Sequence, residues 1–423
     1  MPLAHPKPSL VERFRAVRAQ TEAVVGPLLP EDMLVQSMPE ASPSKWHLAH
    51  TTWFFEDFAL ARFDPSYRVH DPRFRVLFNS YYEAVGARHP RHARGLLSRP
   101  PLTEVMTWRR AVDDALARNL ESLGEAAGRV IELGIHHEQQ HQELILSDAL
   151  HALSCNPLEP SYAPGGDSLP AASLERGAAE SPAGWVAFGD HLGSFGHQGD
   201  GFAFDNEGPA HRAFVGAFSI AARPVTNAEY LRFLEDGGYD RVELWLSDGW
   251  AAAHAGGWRA PLYWRCDDGV WSSFTLRGRR PLDGAAPVAH VSFFEADAYA
   301  RWAGARLPTE HEWERAASSA PIAGNFVESG ALIPASQGEG PGPRQLFGDV
   351  WEWTSSAYLP YPRFRPLEGA LGEYNGKFMS GQMVLRGGSC WSPRDHLRPT
   401  YRNFFPPVTR WQMAGFRLAR DGA

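Results

Sequence analysis

The stretch that decides the first half of the chain is GIHHEQQHQELIL, residues 134–146, where three histidines and two glutamates precede an apolar run. Residues four apart share one face of a helix, so a helix here would direct His137 and His141 to a common point. Gln140 would lie beside them, and His136 would be rotated away. Two imidazoles so placed can chelate a metal ion, although paired histidines on a polar helix face are often only solvated.

A second histidine pair lies in SKWHLAHTTWFFE, residues 44–56, where His47 and His50 stand among large aromatic residues that need a core. If this helix packs against the first, histidines from both can meet. Three neutral imidazoles with open positions suit zinc or ferrous iron, and an incomplete ligand set is typical of a catalytic site. Glu143 could accept the second ring N–H of a ligand histidine, and an ordinary solvated glutamate is the alternative.

The pattern along the chain predicts two domains. Apolar residues recur at three-and-four spacing in four segments between residues 9 and 152, which predicts a four-helix bundle. Residues 155–183 are rich in Pro, Gly, Ser and Ala and read as a linker. Beyond it, short apolar runs, glycine turns and two helices, at 226–238 and 293–306, predict an α+β domain. The expected boundaries are therefore 1–154, 155–183 and 184–423.

Composition limits the classes of function. A chain of 423 residues exceeds the usual size of one hydrophobic core. A net charge of −8 argues against nucleic acid as a partner. Three cysteines, too few for a disulfide framework, fit a reducing compartment, and with neither an export signal nor a long apolar run they predict a cytoplasmic protein without a membrane span. The oligomeric state is left open.

Several motifs carry a family resemblance. HHEQQHQE at 136–143, preceded by WHLAHT at 46–51, resembles the metal site of DinB-like bundles, in particular that of the ergothioneine sulfoxide synthases of the EgtB type. PVTNAEYLRFL, FGDVWEWTSS and VLRGGSCW in the second half resemble the formylglycine-generating-enzyme fold, a C-type-lectin-like domain. This likeness spans nearly all of residues 184–423, and the combination of both folds is typical of the ergothioneine synthases.

The resemblance implies a non-haem, Fe(II)- and O2-dependent enzyme that joins a sulfur donor to the imidazole ring of hercynine, which is trimethylated histidine. Its metal ligands would be His50, His137 and His141, which leaves His47 as a helix-surface or packing residue. Further residues would bind hercynine: Gln140 and Asn403 by hydrogen bonds, and Phe404 and Phe405 through the attraction of aromatic faces for a quaternary ammonium.

The long connection between the second and third helices contains two adjacent tyrosines, Tyr81 and Tyr82, followed by Arg88 and Arg91. The tyrosine pair resembles one branch of the family and implies a proton donor, and the arginines could meet a substrate carboxylate. Only one tyrosine is expected to face the metal, and the sequence does not say which.

Three alternatives stay open at the level of the sequence. This chain has NFF at 403–405 where other members of the family have NWD, so the thiol substrate of those members cannot simply be assigned to it. A selenoneine synthase, which uses a selenosugar, is a close variant. A zinc-dependent DinB-type thiol transferase would use the same histidines without O2. A lectin-like binding module on a helical stalk would be no enzyme at all.

Overall fold

The computed structural model describes residues 8–120, 122–162, 184–336, 340 and 342–422. Most of the predicted linker, residues 163–183, therefore lies outside the described residues. The chain divides into two compact units, the first formed by Met1–Asn156 with Gly369–Glu373 and the second by Pro157–Glu368 with Tyr374–Ala423. The short segment joins the first unit because the Glu373 carboxylate accepts the backbone N–H groups of Glu83 and Ala84, at 2.9 and 2.8 Å.

The first unit is a bundle of four long helices, which confirms the predicted fold. In chain order its helices are α1 (Leu10–Val25), α2 (Ser44–Phe54), α3 (Ala61–Phe63), α4 (Phe74–Phe78), α5 (Leu102–Asn119) and α6 (Gly124–Ser154). Between α2 and α3 the chain makes a π-helical turn at Phe55–Leu60. The helix α6 packs against α1 and α2, and α2 also packs against α5.

Local sequence explains where these helices begin. At the start of α1, the Ser9 hydroxyl accepts the Glu12 N–H and the Glu12 carboxylate accepts the Ser9 N–H, which is a capping box. Both α2 and α5 begin directly after a proline, Pro43 and Pro101. A proline keeps the residue before it out of the helical conformation, and it can itself stand at a helix start because it has no N–H to leave unpaired.

The polar residues of α6 are mostly buried, and the bundle supplies them with partners. Glu138 is fully buried, with its oxygens 2.7 Å from Nη1 of Arg18, 2.5 Å from Nη2 of Arg109 and 2.6 Å from Oγ1 of Thr21. Burial by itself raises the pKa of this carboxyl, but Arg109 and Arg18 outweigh it and lower the pKa to about 2. The buried polar side chains of α6 therefore bind the neighbouring helices α1 and α5.

The second unit consists of short strands and helices joined by turns. Its strands are β1 (Trp185–Phe188), β2 (His191–Phe195), β3 (His211–Val215), β4 (Phe218–Ala221), β5 (Trp264–Asp267), β6 (Val270–Thr275), β7 (Gly278–Pro281), β8 (Trp351–Ala357), β9 (Met383–Arg386), β10 (Asn403–Phe405), β11 (Ala414–Gly415) and β12 (Ala419–Asp421). They form sheets in the orders β1-β4-β12, β10-β9-β8-β11, β2-β3 and β5-β6-β7. The β8–β11 pair is parallel and the other pairs are antiparallel.

The helices of the second unit are α7 (Asn227–Glu235), α8 (Ser247–Ala255), α9 (Phe293–Trp302) and α10 (Glu310–Ala317). The first and third confirm the two predicted helices, and the mixed α+β character is confirmed with them. The prediction missed α8 and α10. The sequence of α8, SDGWAAAHA, has few large apolar residues to reveal a helical stripe. In the part of the chain that the structure describes, no helix has both the length and the apolar character that a bilayer crossing requires.

The buried carboxylate of α6 yields a stability prediction. Replacing Glu138 with glutamine removes the fully buried charge that Arg18 and Arg109 share and leaves them only the more exposed Asp113 and Glu22. We therefore expect the free energy of unfolding to fall by about 3–5 kcal/mol. Denaturant titration of the full chain, followed by far-UV circular dichroism, measures the change. The control is Glu125→Gln on the same helix, because Glu125 pairs with Arg129 in solvent. Equal stability of the two variants would contradict the role given to Glu138.

Candidate metal centre

Three imidazoles from two helices converge in the first unit: His50 of α2 and His137 and His141 of α6. The Nε2 atom of His137 lies 3.2 Å from Nε2 of His50 and 3.0 Å from Nε2 of His141. Ligand nitrogens of all three lie within 4.8 Å of one another, and within the described ranges no other three histidine, cysteine or acidic residues meet this way. We call this group the histidine triad.

Neighbouring aromatic rings of α2 fix the orientation of the triad. Trp46 stacks on His50 with ring centroids 4.7 Å apart and an interplanar angle of 10°, and Trp53 lies at 5.5 Å and 25°. These two residues stand one helical turn before and after His50, so α2 itself places them around that ring. Phe54 contacts His137 with a centroid distance of 4.7 Å. The rings cannot turn away without repacking the core.

The protonation state of the triad fits a metal ion. Burial lowers the pKa of His50 and His141 well below the ordinary value and that of His137 to about 3, so all three are neutral at pH 7. The Nδ1–H of His50 donates to the carbonyl oxygen of Phe78 at 2.6 Å, which leaves a lone pair on Nε2. A lone pair facing other ring nitrogens at about 3 Å requires a proton or a cation among them. The spacing is that of neighbouring ligands about 2.1 Å from one ion.

The charge of this donor set is also informative. The triad contributes no negative charge, so a divalent ion held there would keep its full charge. Three ligands on an octahedral ion leave further positions open, as in catalytic sites. The centre can therefore hold a metal ion that still accepts small molecules or anions.

A buried arginine lies close to the triad. Arg94 is 5 % exposed, its guanidinium carbon stands 3.4 Å from the centroid of Trp46, and its Nη1 donates to Oγ of Ser42 at 2.9 Å. Among the described residues, no carboxylate pairs with Arg94 at ion-pair distance and its buried Nε has no hydrogen-bond acceptor. Burial lowers the pKa of Arg94 to about 9, and Arg91 acts in the same direction. The sequence-based prediction missed this cation.

The two predicted tyrosines differ in their surroundings. Tyr82 is fully buried, and its ring lies 5.2 Å from that of Phe58 and 5.9 Å from that of Trp53. Tyr81 is half-buried, with its ring centroid 4.8 Å from that of Tyr82. Tyr81 also raises the pKa of Arg94 electrostatically, so its hydroxyl lies within the field of that cation. Both tyrosines therefore belong to the neighbourhood of the triad.

The other predicted residues of the first unit have local partners. Arg88 forms an ion pair with Glu83 at 2.6 Å and donates to the carbonyl oxygen of Ser80 at 3.1 Å. Arg91 donates to the carbonyl oxygen of Glu40. Gln140, on α6 directly before His141, is half-buried, and Glu143 is half-buried on the same helix.

Asn403, Phe404 and Phe405, predicted to bind hercynine, form the strand β10 of the second unit. Phe404 stacks on Tyr358 with ring centroids 4.1 Å apart and an interplanar angle of 9°. Its backbone N–H donates to Oδ1 of Asn403 at 2.9 Å. All three residues are half-buried, and Tyr358 already covers one face of Phe404.

The structure separates the two expectations for His47, a helix-surface or a packing residue. His47 is 2 % exposed, so the surface expectation was wrong, and beyond packing it makes specific hydrogen bonds. Its Nδ1 lies 2.7 Å from Nδ1 of His141, and its Nε2 lies 3.1 Å from Oδ2 of Asp148. The available signal was its position three residues before His50, which puts both rings on the same side of α2.

The fold and the site together define a class of protein. Residues 13–145 match the model of the DinB superfamily, and residues 182–339 and 333–422 match that of the sulfatase-modifying factor enzyme 1-like domain. The chain is thus a DinB-type bundle carrying a histidine triad, joined to a sulfatase-modifying-factor-type domain.

Comparison with whole proteins narrows this class. The chain is 37 % identical to the hercynine oxygenase of Mycolicibacterium thermoresistibile, over 90 % of this chain and 88 % of the relative. It is 35 % identical to that of Mycolicibacterium smegmatis, over 91 % and 92 %. Ergothioneine biosynthesis protein 1 of Schizosaccharomyces pombe is 30 % identical over 52 % of this chain and 28 % of the relative. The chain belongs to the hercynine oxygenase family, which confirms the resemblance drawn from its motifs, and it is an enzyme.

The lowered pKa values predict how metal-free protein responds to acid. Above pH 6.5 neither the folded nor the unfolded chain protonates these histidines, so the triad adds no pH dependence. Below that pH these histidines bind protons in the unfolded chain but not in the folded one. The free energy of unfolding therefore falls as pH drops from 6.5 towards 3. Each histidine adds up to about 1.4 kcal/mol per pH unit to the slope.

Denaturant titrations of chelator-treated protein between pH 7 and pH 4 measure this slope. We expect a shallower slope in His137→Asn, which removes one of the buried groups. Replacing the exposed His92 with asparagine is the matched control and leaves the slope as it is in the wild type. An unchanged slope in His137→Asn would show that this ring does protonate in the folded chain.

Proposed function

We propose that the protein is a non-haem iron(II) enzyme that uses O2 to join a thiol sulfur to the imidazole ring of hercynine and produces a sulfoxide. The observation that carries the proposal is the convergence of three neutral imidazoles in a chain that aligns over about nine tenths of its length with hercynine oxygenases. Three nitrogen ligands with open positions suit ferrous iron. None of the three cysteines forms a disulfide, which agrees with a reducing, cytoplasmic setting.

Bound iron(II) would supply the open positions and the redox chemistry that bring O2 and a thiol sulfur together at one centre. The protein side chains supply the electrostatics. Because the triad is neutral and Arg94 is a buried cation, the site attracts anionic groups, and both a thiolate and a carboxylate fit that field. Arg94 has an unused donor, whereas Arg88 and Arg91 would have to share or exchange the partners they already hold. Among the three arginines, Arg94 is therefore our first choice for an ion pair with a substrate carboxylate.

We assign the proton that the reaction requires to Tyr81. A general acid must reach the reacting group, and Tyr81 is half-buried, while the ring of Tyr82 is enclosed by Trp53 and Phe58. Tyr81 also shares the field of Arg94, which favours the ionised form that remains after a proton is given up. Tyr82 then serves as the packed support on which the ring of Tyr81 rests.

The polar and aromatic residues named from the sequence are proposed to bind hercynine. Gln140, next to His141, is proposed to bind the imidazole ring of hercynine, and Asn403 is proposed to bind the carboxylate of hercynine. A trimethylammonium group binds best against an uncovered aromatic face. Since Tyr358 covers one face of Phe404, Phe405 is the stronger aromatic candidate.

The alternatives raised by the sequence are less well supported. The relatives are named as hercynine oxygenases and as an ergothioneine biosynthesis protein, so sulfur is favoured over selenium as the atom transferred. A zinc thiol transferase or a lectin-like module shares only one of the two halves, whereas the hercynine oxygenases match both.

The first test of function is an assay of purified protein with ferrous iron, O2, hercynine and, in separate reactions, cysteine, γ-glutamylcysteine and a selenosugar. We expect a sulfoxide product with one of the thiols, identified by mass spectrometry. His137→Ala and His141→Ala should lose both bound iron and turnover, and His136→Asn, whose ring contacts Arg13 instead, is the control that keeps both. Turnover with none of the donors would defeat the proposal, and anaerobic activity with bound zinc would favour the transferase.

The second test separates the tyrosines. Tyr81→Phe removes the proposed proton donor, so we expect kcat for the sulfoxide to fall about 100-fold or more while iron content and the KM for hercynine stay close to wild type. Tyr82→Phe keeps the ring that packs on Phe58 and should cost far less. Steady-state kinetics with metal analysis of each variant distinguishes the two. Wild-type kcat in Tyr81→Phe, or the larger loss in Tyr82→Phe, would overturn the assignment.

A further inference from the structure

A chain of hydrogen bonds connects one member of the triad to a buried carboxylate. It runs from Asp148 through His47 to His141, with contacts of 3.1 Å between Oδ2 and Nε2 and of 2.7 Å between the two Nδ1 atoms. The three residues are 7 %, 2 % and 8 % exposed. Asp148 and His141 stand on α6 and His47 stands on α2, so the hydrogen bonds run from α6 to α2 and back to α6.

The direction of each hydrogen bond follows from the groups at its ends. The backbone N–H of Ser42 donates to Oδ2 of Asp148 at 2.8 Å, which marks this oxygen as an acceptor. It therefore accepts from Nε2–H of His47. The two Nδ1 atoms lie 2.7 Å apart, so one proton stands between them, and a His47 ring that carries its proton on Nε2 has a lone pair on Nδ1. The partner of that lone pair must be the Nδ1–H of His141, which leaves the lone pair of His141 on Nε2, the atom that faces His137.

We propose that Asp148 and His47 are positioning residues for the metal, which act through His141. They hold its ring in the tautomer that directs a lone pair into the triad, and they place a negative charge behind it. A hydrogen-bonded carboxylate makes an imidazole a stronger donor, and loss of such a partner commonly weakens metal affinity about 10–100-fold. This inference rests on the metal centre of the proposed function.

The second ring nitrogen of His141 has a different kind of partner from that of His50. His50 donates its second N–H to a neutral backbone carbonyl, that of Phe78. His141 donates instead to the imidazole of His47, which is itself hydrogen-bonded to the carboxylate of Asp148. A divalent ion among neutral ligands lacks a compensating charge nearby. Asp148 is placed to supply a negative charge, with the rings of His141 and His47 between it and the ion.

The variants separate hydrogen bonding from charge. In Asp148→Asn, the N–H of Ser42 keeps the amide oxygen in place, so both hydrogen bonds persist and only the charge is lost. His47→Phe removes the acceptor for His141, and His47→Gln restores an acceptor without the link to the carboxylate. Asp113→Asn is the matched control, because Asp113 forms a partly buried ion pair with Arg18 in the same bundle and takes no part in the hydrogen bonds between Asp148, His47 and His141.

The first measurement is the dissociation constant for Co2+, titrated into the metal-free full-length protein and followed by its visible absorption. We expect weaker binding by about 10-fold in Asp148→Asn and by about 10–100-fold in His47→Phe, with His47→Gln between wild type and His47→Phe. The Co2+ absorption bands should also shift in these variants, because the donor strength of His141 changes. Asp113→Asn should lose stability and keep the affinity and spectrum of the wild type.

The second measurement reads the tautomer directly. In Zn2+-loaded protein with 15N-labelled histidine, we expect Nδ1 of His141 to carry the proton and Nε2 to be bound to the metal. A metal-bound Nδ1, or wild-type affinity and spectra in both Asp148→Asn and His47→Phe, would overturn the inference while leaving the metal centre intact. Failure of the wild-type protein to bind a divalent ion at the triad would instead remove the proposed function, so the two failures are distinguishable.

Discussion

The fully buried carboxylate of Glu138 is the constraint on which the first unit depends. A charge without water is tolerated only beside opposite charges, and here Arg18 of α1 and Arg109 of α5 supply them. This requirement fixes how α6 is rotated about its own axis. Successive helix residues point about 100° apart, so turning Glu138 towards α1 and α5 turns His137 towards α2. One helical turn later Gln142 repeats the contact with α1, since it donates to the carbonyl oxygen of Val17, and His141 again faces α2.

The histidine triad could be predicted because its signal is local, whereas the charge cluster could not. The spacing of His137 and His141 along one helix is enough to suggest a shared ligand point. Glu138 and Arg109, in contrast, look like ordinary surface residues, and their pairing becomes evident only when segments far apart in sequence pack together. The hydrogen bonds of His47 could not be predicted for the same reason, because its partners His141 and Asp148 are about a hundred residues away.

The second unit uses the same physical device with less regular structure. Its strands are two to seven residues long, too short to produce a strong alternating pattern, so the sequence predicted the α+β class but no individual strand. Buried ion pairs fasten the pieces: Glu310 lies between Arg386 and Arg402, and Glu352 pairs with Arg417. These arginines come from late in the chain and reach back to earlier segments. Charge pairing therefore supports this unit where sheet area is small.

The charges around the triad explain what the site is suited to hold. The side of α2 that carries His47, His50 and Trp46 faces a buried guanidinium without a carboxylate partner among the described residues. Adding a divalent ion to three neutral imidazoles increases the positive charge further, and Asp148, two imidazoles away, offsets only part of it. The remaining imbalance is costly in a buried setting unless an anion enters. A thiolate or carboxylate substrate meets that need, so the same imbalance that burdens the free protein favours binding of the anionic reactant.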